Sequence, residues 1–246
     1  MQVGILYGIS ISTGDPELIT LKGLRLLRAA DAIAYPAGTQ QKPGVAEEII
    51  APWIVGDRQC LPLYFPYVRD LDVLQQAWET AAHKVWHYLS QNQSVAFACE
   101  GDVSFYSTFT YLAQTLQKLY PEAIVETVPG VCSPMAAAAV LGLPLAMRDQ
   151  RLAILPALYD VAELENTLAW ADVVVLMKIS SVYDRIWPIL QQHQLLEQSW
   201  VVERATLPDQ KIYGDLRDRP TLELSYFSLL IVQVKPRSPL HSFLKS

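Results

Sequence analysis

Apolar positions in the first half of the chain fall into short, nearly unbroken runs, separated by longer stretches with helical spacing. Val3 to Ser10 reads as a buried strand. Asp15-Pro16-Glu17 has the form of a helix start, with an N-cap, a proline in the first turn and an acidic neighbour. Leu18, Leu21, Leu24 and Leu27 carry that helix to about Ala30. DAIAYPAG is a second strand closed by a Pro/Gly turn, and Val45 to Ile54 is a helix. RQCLPLYFP is ambiguous, because its prolines oppose a long strand. A long helix is expected over Leu71 to Gln91, and SVAFACEGD is a buried strand ending in a Gly-Asp turn. Phe105 to Tyr120 is a helix, AIVETVPG a strand, and SPMAAAAVLG a helix closed by Gly142.

Strands that are apolar throughout and alternate with helices predict a parallel α/β sheet covered on both faces. After Pro144 the texture changes. RLAILPA and DVVVLMKI are strands with a helix, Val161 to Ala171, between them, and Val182 to Gln192 is a further helix. SWVVERAT and YFSLLIVQV are late strands, the second entered from the polar stretch 208–222. Their short connection predicts an antiparallel pair and hence a mixed second sheet. The expected organisation is two α/β domains, 1–130 and 131–246, with the helix after Gly130 as the bridge. There is no internal repeat and no low-complexity tract.

Composition narrows what such a protein could do. The 246 residues are 51% hydrophobic and carry a formal net charge of -6. The overall field therefore disfavours nucleic acid and anionic membranes. No apolar run reaches the length that spans a bilayer. The N-terminal apolar stretch lacks a preceding basic segment and is cut short by GDPE, so no signal peptide is expected. Cys60, Cys99 and Cys132 are widely spaced, which predicts reduced thiols in a cytoplasmic protein and no zinc site. His83 and His87 have metal-like spacing but no third ligand nearby. His193 and His241 lie on a helix and in the tail, and no GxSxG elbow exists for nucleophilic catalysis.

Three turns stand at expected strand ends: STGDP, CEGD and VPGVCS. In an open parallel sheet that edge gathers the ligand-binding loops. The first turn, Gly8 to Gly14, lacks the second glycine of a dinucleotide fingerprint, and no P-loop is present. Asp15, Glu100 and Asp102 would repel pyrophosphate. They suit a neutral or cationic ligand or a ribose diol, a description that a sulfonium nucleoside meets.

In combination these segments resemble a known family. GDPELIT, EGDVSFYSTFTYL, VPGVCSPMAAAAVLGLPLA, VVLMKI, VERATLP and YFSLLIV occur in the order found in the tetrapyrrole methylases, S-adenosylmethionine-dependent enzymes of cobalamin and siroheme synthesis. The resemblance runs almost end to end. The middle motif, the YPAG strand end and YFSLLIV are most similar to the branch that methylates C20 of precorrin-2 or its cobalt form. The resemblance implies two α/β domains with the donor in a cleft between them, a homodimer, and no metal bound by the protein itself. Carried over by motif, the donor would touch Thr13, Gly14, Glu100, Gly101, Asp102, Phe105, Cys132, Ser133, Met177 and Ala205. The acceptor is a polycarboxylate, for which Arg148, Arg151 and Lys178 are the expected cations. A base is required to remove the proton left on the methylated carbon. Glu100, Tyr106 and Tyr35 are candidates, and none is singled out.

The chain also departs from the family pattern. Ser10, Ser12 and Thr13 stand where the first turn has Gly, Gly and Pro, and Val103 replaces a proline. Serine at positive φ costs on the order of 1 kcal/mol. At negative φ the change is nearly harmless, and both hydroxyls would then face the cleft. Tyr35-Pro36 stands where siroheme-type methylases carry a proposed Asp base, which argues against uroporphyrinogen as acceptor. Three alternatives remain open: another acceptor on the same fold, a relative that binds tetrapyrrole or nucleoside without turnover, and, more weakly, a nicotinamide dehydrogenase.

Overall fold

The computed structural model describes residues 2–38, 43–54, 56, 58–66, 68, 70–157 and 160–235. The chain divides into two compact units, 1–132 and 133–246.

The first unit holds a five-stranded sheet of order β3-β2-β4-β1-β5. Its strands are β1 (Ile5–Ser10), β2 (Ala32–Pro36), β3 (Gln59–Leu63), β4 (Val95–Cys99) and β5 (Ile124–Val128). Every pairing in it is parallel. The ambiguous RQCLPLYFP segment forms β3, and its proline is tolerated because β3 is an edge strand. Helices α1 (Leu21–Ala29) and α2 (Val45–Ile50) cover one face, where Leu27, Ile49 and Ile50 meet Ile9, Ile33 and Ala98. Helices α3 (Leu71–Leu89) and α4 (Thr108–Leu119) cover the other, where Val85, Leu89 and Leu112 meet Leu6, Val95 and Phe97. Burial on both faces is why these strands lack polar alternation.

Two expected helices are interrupted. The run from Asp15 is a single 3-10 turn, Pro16–Leu18, followed by a break and then α1. Asp15 caps only the turn, accepting from the Glu17 N–H at 2.8 Å. Thr20 caps α1 by accepting from the Gly23 N–H at 3.0 Å. The helix from Val45 tightens at Pro52 into a 3-10 turn, Ala51–Trp53.

The second unit opens with α5 (Ser133–Leu141), which ends at the left-handed Gly142 and lies beside β10. Its sheet has the order β6-β7-β10-β8-β9. The strands are β6 (Leu152–Leu155), β7 (Val173–Met177), β8 (Ser199–Glu203), β9 (Lys211–Gly214) and β10 (Ser228–Gln233). Only β6 and β7 run parallel, so the sheet is mixed, as the short late connections imply. The hairpin strand β9 lies inside the polar stretch expected to be a connection. Helices α6 (Val161–Trp170) and α7 (Tyr183–Gln192) cover one face, burying Leu164, Ile186 and Leu190 against Val174, Val201 and Leu230. No helix among the described residues is long and apolar enough to cross a membrane.

Candidate active site

In the first unit, β1, β4 and β5 lie side by side and parallel, so the three turns that follow them share one edge. The loops after β1 and β4 pair directly. The Ile11 N–H donates to the Cys99 carbonyl at 2.9 Å, and the Gly101 N–H to the Ser12 carbonyl at 2.7 Å. Ser12 and Gly101 face each other across this bridge, both left-handed, with φ of 68° and 70°.

Asp102 ties all three turns together. Its Oδ1 accepts from the Ser104 N–H at 2.8 Å and from the Ser104 hydroxyl at 2.6 Å. Its Oδ2 accepts from the Gly130 N–H of the β5 turn at 2.7 Å and from the Ser10 hydroxyl at 3.4 Å. Burial pushes the Asp102 carboxyl up, but these donors outweigh it and hold the group below the usual carboxylate range. Both Asp102 oxygens are thus engaged inside the protein, and the residue shapes the turns a ligand would meet.

The two serines behave differently. Ser10 lies in β1, where its hydroxyl donates to Asp102 and accepts from the Val103 N–H at 3.0 Å. Ser12 is left-handed, and its Oγ has no hydrogen-bond partner among the described residues. Both are fully buried, so neither hydroxyl presents itself at a surface, and the negative φ under which both would face the cleft is not met at Ser12. Gly101 is the reverse case. A Cβ built there would find only the Cys132 Cα, at 4.0 Å, so the backbone is bare and open to a close approach.

Glu100 and Asp102 are two residues apart and titrate in opposite directions. Burial raises the Glu100 carboxyl, opposed by one hydrogen bond from the Ala46 N–H at 3.0 Å. Among the other base candidates, Tyr35 is buried and donates to Glu47 Oε1 at 3.3 Å. Burial first, and then the charges of Glu47 and Cys60, raise its phenol, so it stays protonated and serves as a donor. Tyr106 is exposed and left-handed. Phe105 packs edge-on against it at 4.7 Å. Thr13, Gly14, Glu100, Gly101, Asp102, Phe105 and Cys132 therefore all fall on the three turns at this edge.

In the second unit, Met177 ends β7, and Ala205 follows β8 at the same rim of the sheet. Ser133 begins α5. Lys178 follows Met177 directly and is left-handed, as are Arg204 and Thr206 beside Ala205. Left-handed residues with side chains are uncommon, and clusters of them mark functional rims.

The expected acceptor cations are not gathered in one place. Arg151 precedes β6, level with Asp172 and so at the opposite end of the sheet from Lys178, roughly 20 Å away along the strand. It is also neutralised there, its backbone N–H and Nε both donating to Asp172 Oδ2, at 2.8 and 3.3 Å. Arg148 lies in the loop before β6. The structure thus separates Arg151 from Lys178. The histidine pair also finds no third ligand, since no cluster of three potential metal-binding side chains exists among the described residues. His83 instead places Nδ1 2.6 Å from the Tyr120 hydroxyl, and His241 lies outside the described residues.

Comparison with known proteins adds to this geometry. Residues 5–219 match the family of tetrapyrrole (corrin/porphyrin) methylases. The chain is 34% identical over 230 residues to a probable cobalt-precorrin-2 C(20)-methyltransferase of Methanocaldococcus jannaschii, covering 93% of this chain and 95% of that protein. It is 32% identical to the precorrin-2 C(20)-methyltransferase of a Sinorhizobium species, over 94% of this chain and 95% of the other. The fold is shared with the crystal structure of a cobalt precorrin-4 methyltransferase, with a TM-score of 0.69 at 22% identity over 94% and 96% of the two chains. It is also shared with uroporphyrin-III C-methyl transferase of Thermus thermophilus complexed with S-adenosylhomocysteine, with a TM-score of 0.66 at 21% identity over 93% and 92%.

Proposed function

Because the chain belongs to the tetrapyrrole methylase family, we propose that it is an S-adenosylmethionine-dependent C-methyltransferase of cobalamin biosynthesis. It transfers one methyl group to C20 of precorrin-2 or cobalt-factor II. The observation that carries this reading is that relatives named for C20 methylation share about a third of their residues with this chain along nearly its whole length. The enzyme is read as a cytoplasmic homodimer that takes a small tetrapyrrole and needs no metal of its own.

The first-unit turns fit such a donor. Their acidic residues suit a sulfonium, and the bare backbone at Gly101 admits a ligand that a side chain would block. Thr13, Gly14, Glu100, Phe105 and Cys132 would line the site around Gly101, with Asp102 holding the three turns in place. By the resemblance, Ser133, Met177 and Ala205 in the second unit are further donor contacts, the Met177 thioether suited to an aromatic ring. The donor supplies the electrophilic methyl. The chain's part is to hold the meso carbon in line with the S–CH3 bond and to exclude water. Arg148 and Lys178 are the cations offered to the acceptor's carboxylates.

Incubation with labelled S-adenosylmethionine and either precorrin-2 or cobalt-factor II, followed by mass analysis, tests the reading. One added methyl at C20 is expected. Absence of donor binding by calorimetry, or transfer to neither tetrapyrrole, refutes it.

A further inference from the structure

The turns after β1 and β4 are joined at their roots by the bridge between Ser12 and Gly101. They are joined again, further out, through a segment that belongs to neither. Helix α2 and the 3-10 turn after it form one continuous helical piece, residues 45–53. With the rises of α and 3-10 turns it spans about 14 Å. Its start is held by two polar contacts. The Ala46 N–H donates to Glu100 Oε1 at 3.0 Å, and Glu47 Oε1 accepts from the Tyr35 hydroxyl at 3.3 Å. Its end is held to the first turn, where Trp53 Nε1 donates to the Pro16 carbonyl at 3.1 Å.

The piece between these ends is stiff. Ala46, Ile49 and Ile50 are buried against the sheet, and Pro52 fixes its own φ inside the 3-10 turn. The Arg28 guanidinium lies 5.4 Å from the centre of the Trp53 ring and steadies it from α1. All three polar contacts go to the loop-bearing edge of the sheet: Tyr35 near the end of β2, Glu100 just after β4, and Pro16 just past the turn after β1. Burial makes the Glu100 carboxyl a costly anchor for a single hydrogen bond. What that contact supplies is position.

We propose that segment 45–53 is a spacer that sets the separation of the turns after β1 and β4, with Trp53 and Glu100 as positioning residues that act on the methyl donor through those turns. This rests on the reading of that edge as the donor site. The bridge at Ser12 and Gly101 fixes the roots of the two turns, and the spacer fixes their outer parts. A methyl group must lie in line with the incoming carbon, and a misplacement of about 1 Å is enough to slow its transfer. Releasing either end of the spacer frees the same separation, so the two ends act as one device.

The test compares wild type with W53F, E100A, E100Q, the double variant W53F/E100A, and S94A. Two quantities are measured: Kd for S-adenosylhomocysteine, and backbone amide exchange in residues 13–19 and 100–104 of the unliganded protein. W53F keeps the ring and loses the N–H, and E100A loses the acceptor. Each should raise Kd about five-fold. The double variant should also stand near five-fold, far below the product of the single effects. E100Q keeps an acceptor oxygen and should restore most of the affinity lost in E100A. Exchange should quicken at the far turn in each case, at 100–104 in W53F and at 13–19 in E100A. S94A removes a hydroxyl that donates to Asp31 Oδ2 at 2.9 Å, at the opposite end of β4, and should lower stability while leaving both readouts unchanged. Unchanged Kd in W53F and E100A, multiplicative effects in the double variant, no rescue by E100Q, or exchange that quickens only at the altered turn would overturn the inference. If wild type binds no S-adenosylhomocysteine, the donor reading fails instead, and the exchange pattern still decides whether the segment couples the two turns.

Discussion

The loop-bearing edges of the two sheets, one in each unit, are built on different principles. The first-unit edge is a set of backbone turns tied by hydrogen bonds, with Asp102 accepting from three segments and Gly101 left bare. At the second-unit rim Lys178, Arg204 and Thr206 carry side chains on left-handed backbone, as Ser12 and Tyr106 do at the first edge, but here two of the three are cations. A bare, fixed backbone reads a ligand by shape and polar edges. A rim that accepts strain in order to present charged side chains reads a ligand by charge. The contrast suits a reaction with two partners, one a compact cationic nucleoside and the other a large polyanion.

The severest way to break the first edge is D102A. It removes the acceptor for four donors at once, two of them backbone N–H groups. Unfolding free energy should fall by about 3 kcal/mol, as expected when charged hydrogen bonds are lost and buried donors orphaned. Donor binding should disappear with it. Chemical denaturation and S-adenosylhomocysteine calorimetry read the two losses.

G101A sharpens the comparison by separating fold from function. Its methyl group meets nothing nearer than 4.0 Å, so the stability cost is only the left-handed strain, about 1 kcal/mol. Donor affinity should nevertheless fall by more than about ten-fold, the equivalent of 1.4 kcal/mol. Equal, small effects on both would mean that the Gly101 cradle is not used.

S12G should act in the opposite sense. It relieves the strained φ and removes a buried hydroxyl without a partner, and the added freedom of the unfolded chain offsets part of the gain. A net gain of about 1 kcal/mol in stability is expected in thermal or urea unfolding.

The smallest effect is a matter of pH. Burial raises Glu100, so its stabilising share is complete below its unfolded pKa and is lost as pH rises through the folded value. Asp102 is lowered, so its share is present above its unfolded pKa and is lost as pH falls through the folded one. E100Q should therefore stabilise the protein at neutral pH and leave it unchanged near pH 4, where model carboxyls titrate. A stability–pH curve for E100Q parallel to wild type would contradict this.

The parallel sheet, the mixed sheet and the strand-end turns were legible because apolar runs, glycines and Gly-Asp pairs announce themselves locally. The break before α1 was not, since the leucine spacing is blind to a cap supplied by Thr20. Strand β9 escaped notice because KIYG is short, half-exposed and paired only with β8. The Ser10–Asp102–Gly130 network joins residues 92 and 28 positions apart, and nothing in a residue's own neighbourhood reveals such partners. Arg151 and Lys178 were both expected as cations for the acceptor; direction along the strands, which places one before β6 and the other past the end of β7, sets them at opposite ends of the sheet.

The Ser10 side chain also constrains its neighbour across the sheet edge. A Cβ on residue 130 would fall 2.5 Å from the Ser10 Cβ, while the next atom, the Ser10 carbonyl oxygen, is 3.3 Å away. Only one of the two positions can carry a side chain. G130A alone should be harmful, and G130A in an S10G background close to tolerable, a coupling that a double-mutant cycle measures. The order of substitution therefore matters. With serine at position 10, position 130 is closed to a side chain, and glycine at 10 would reopen it.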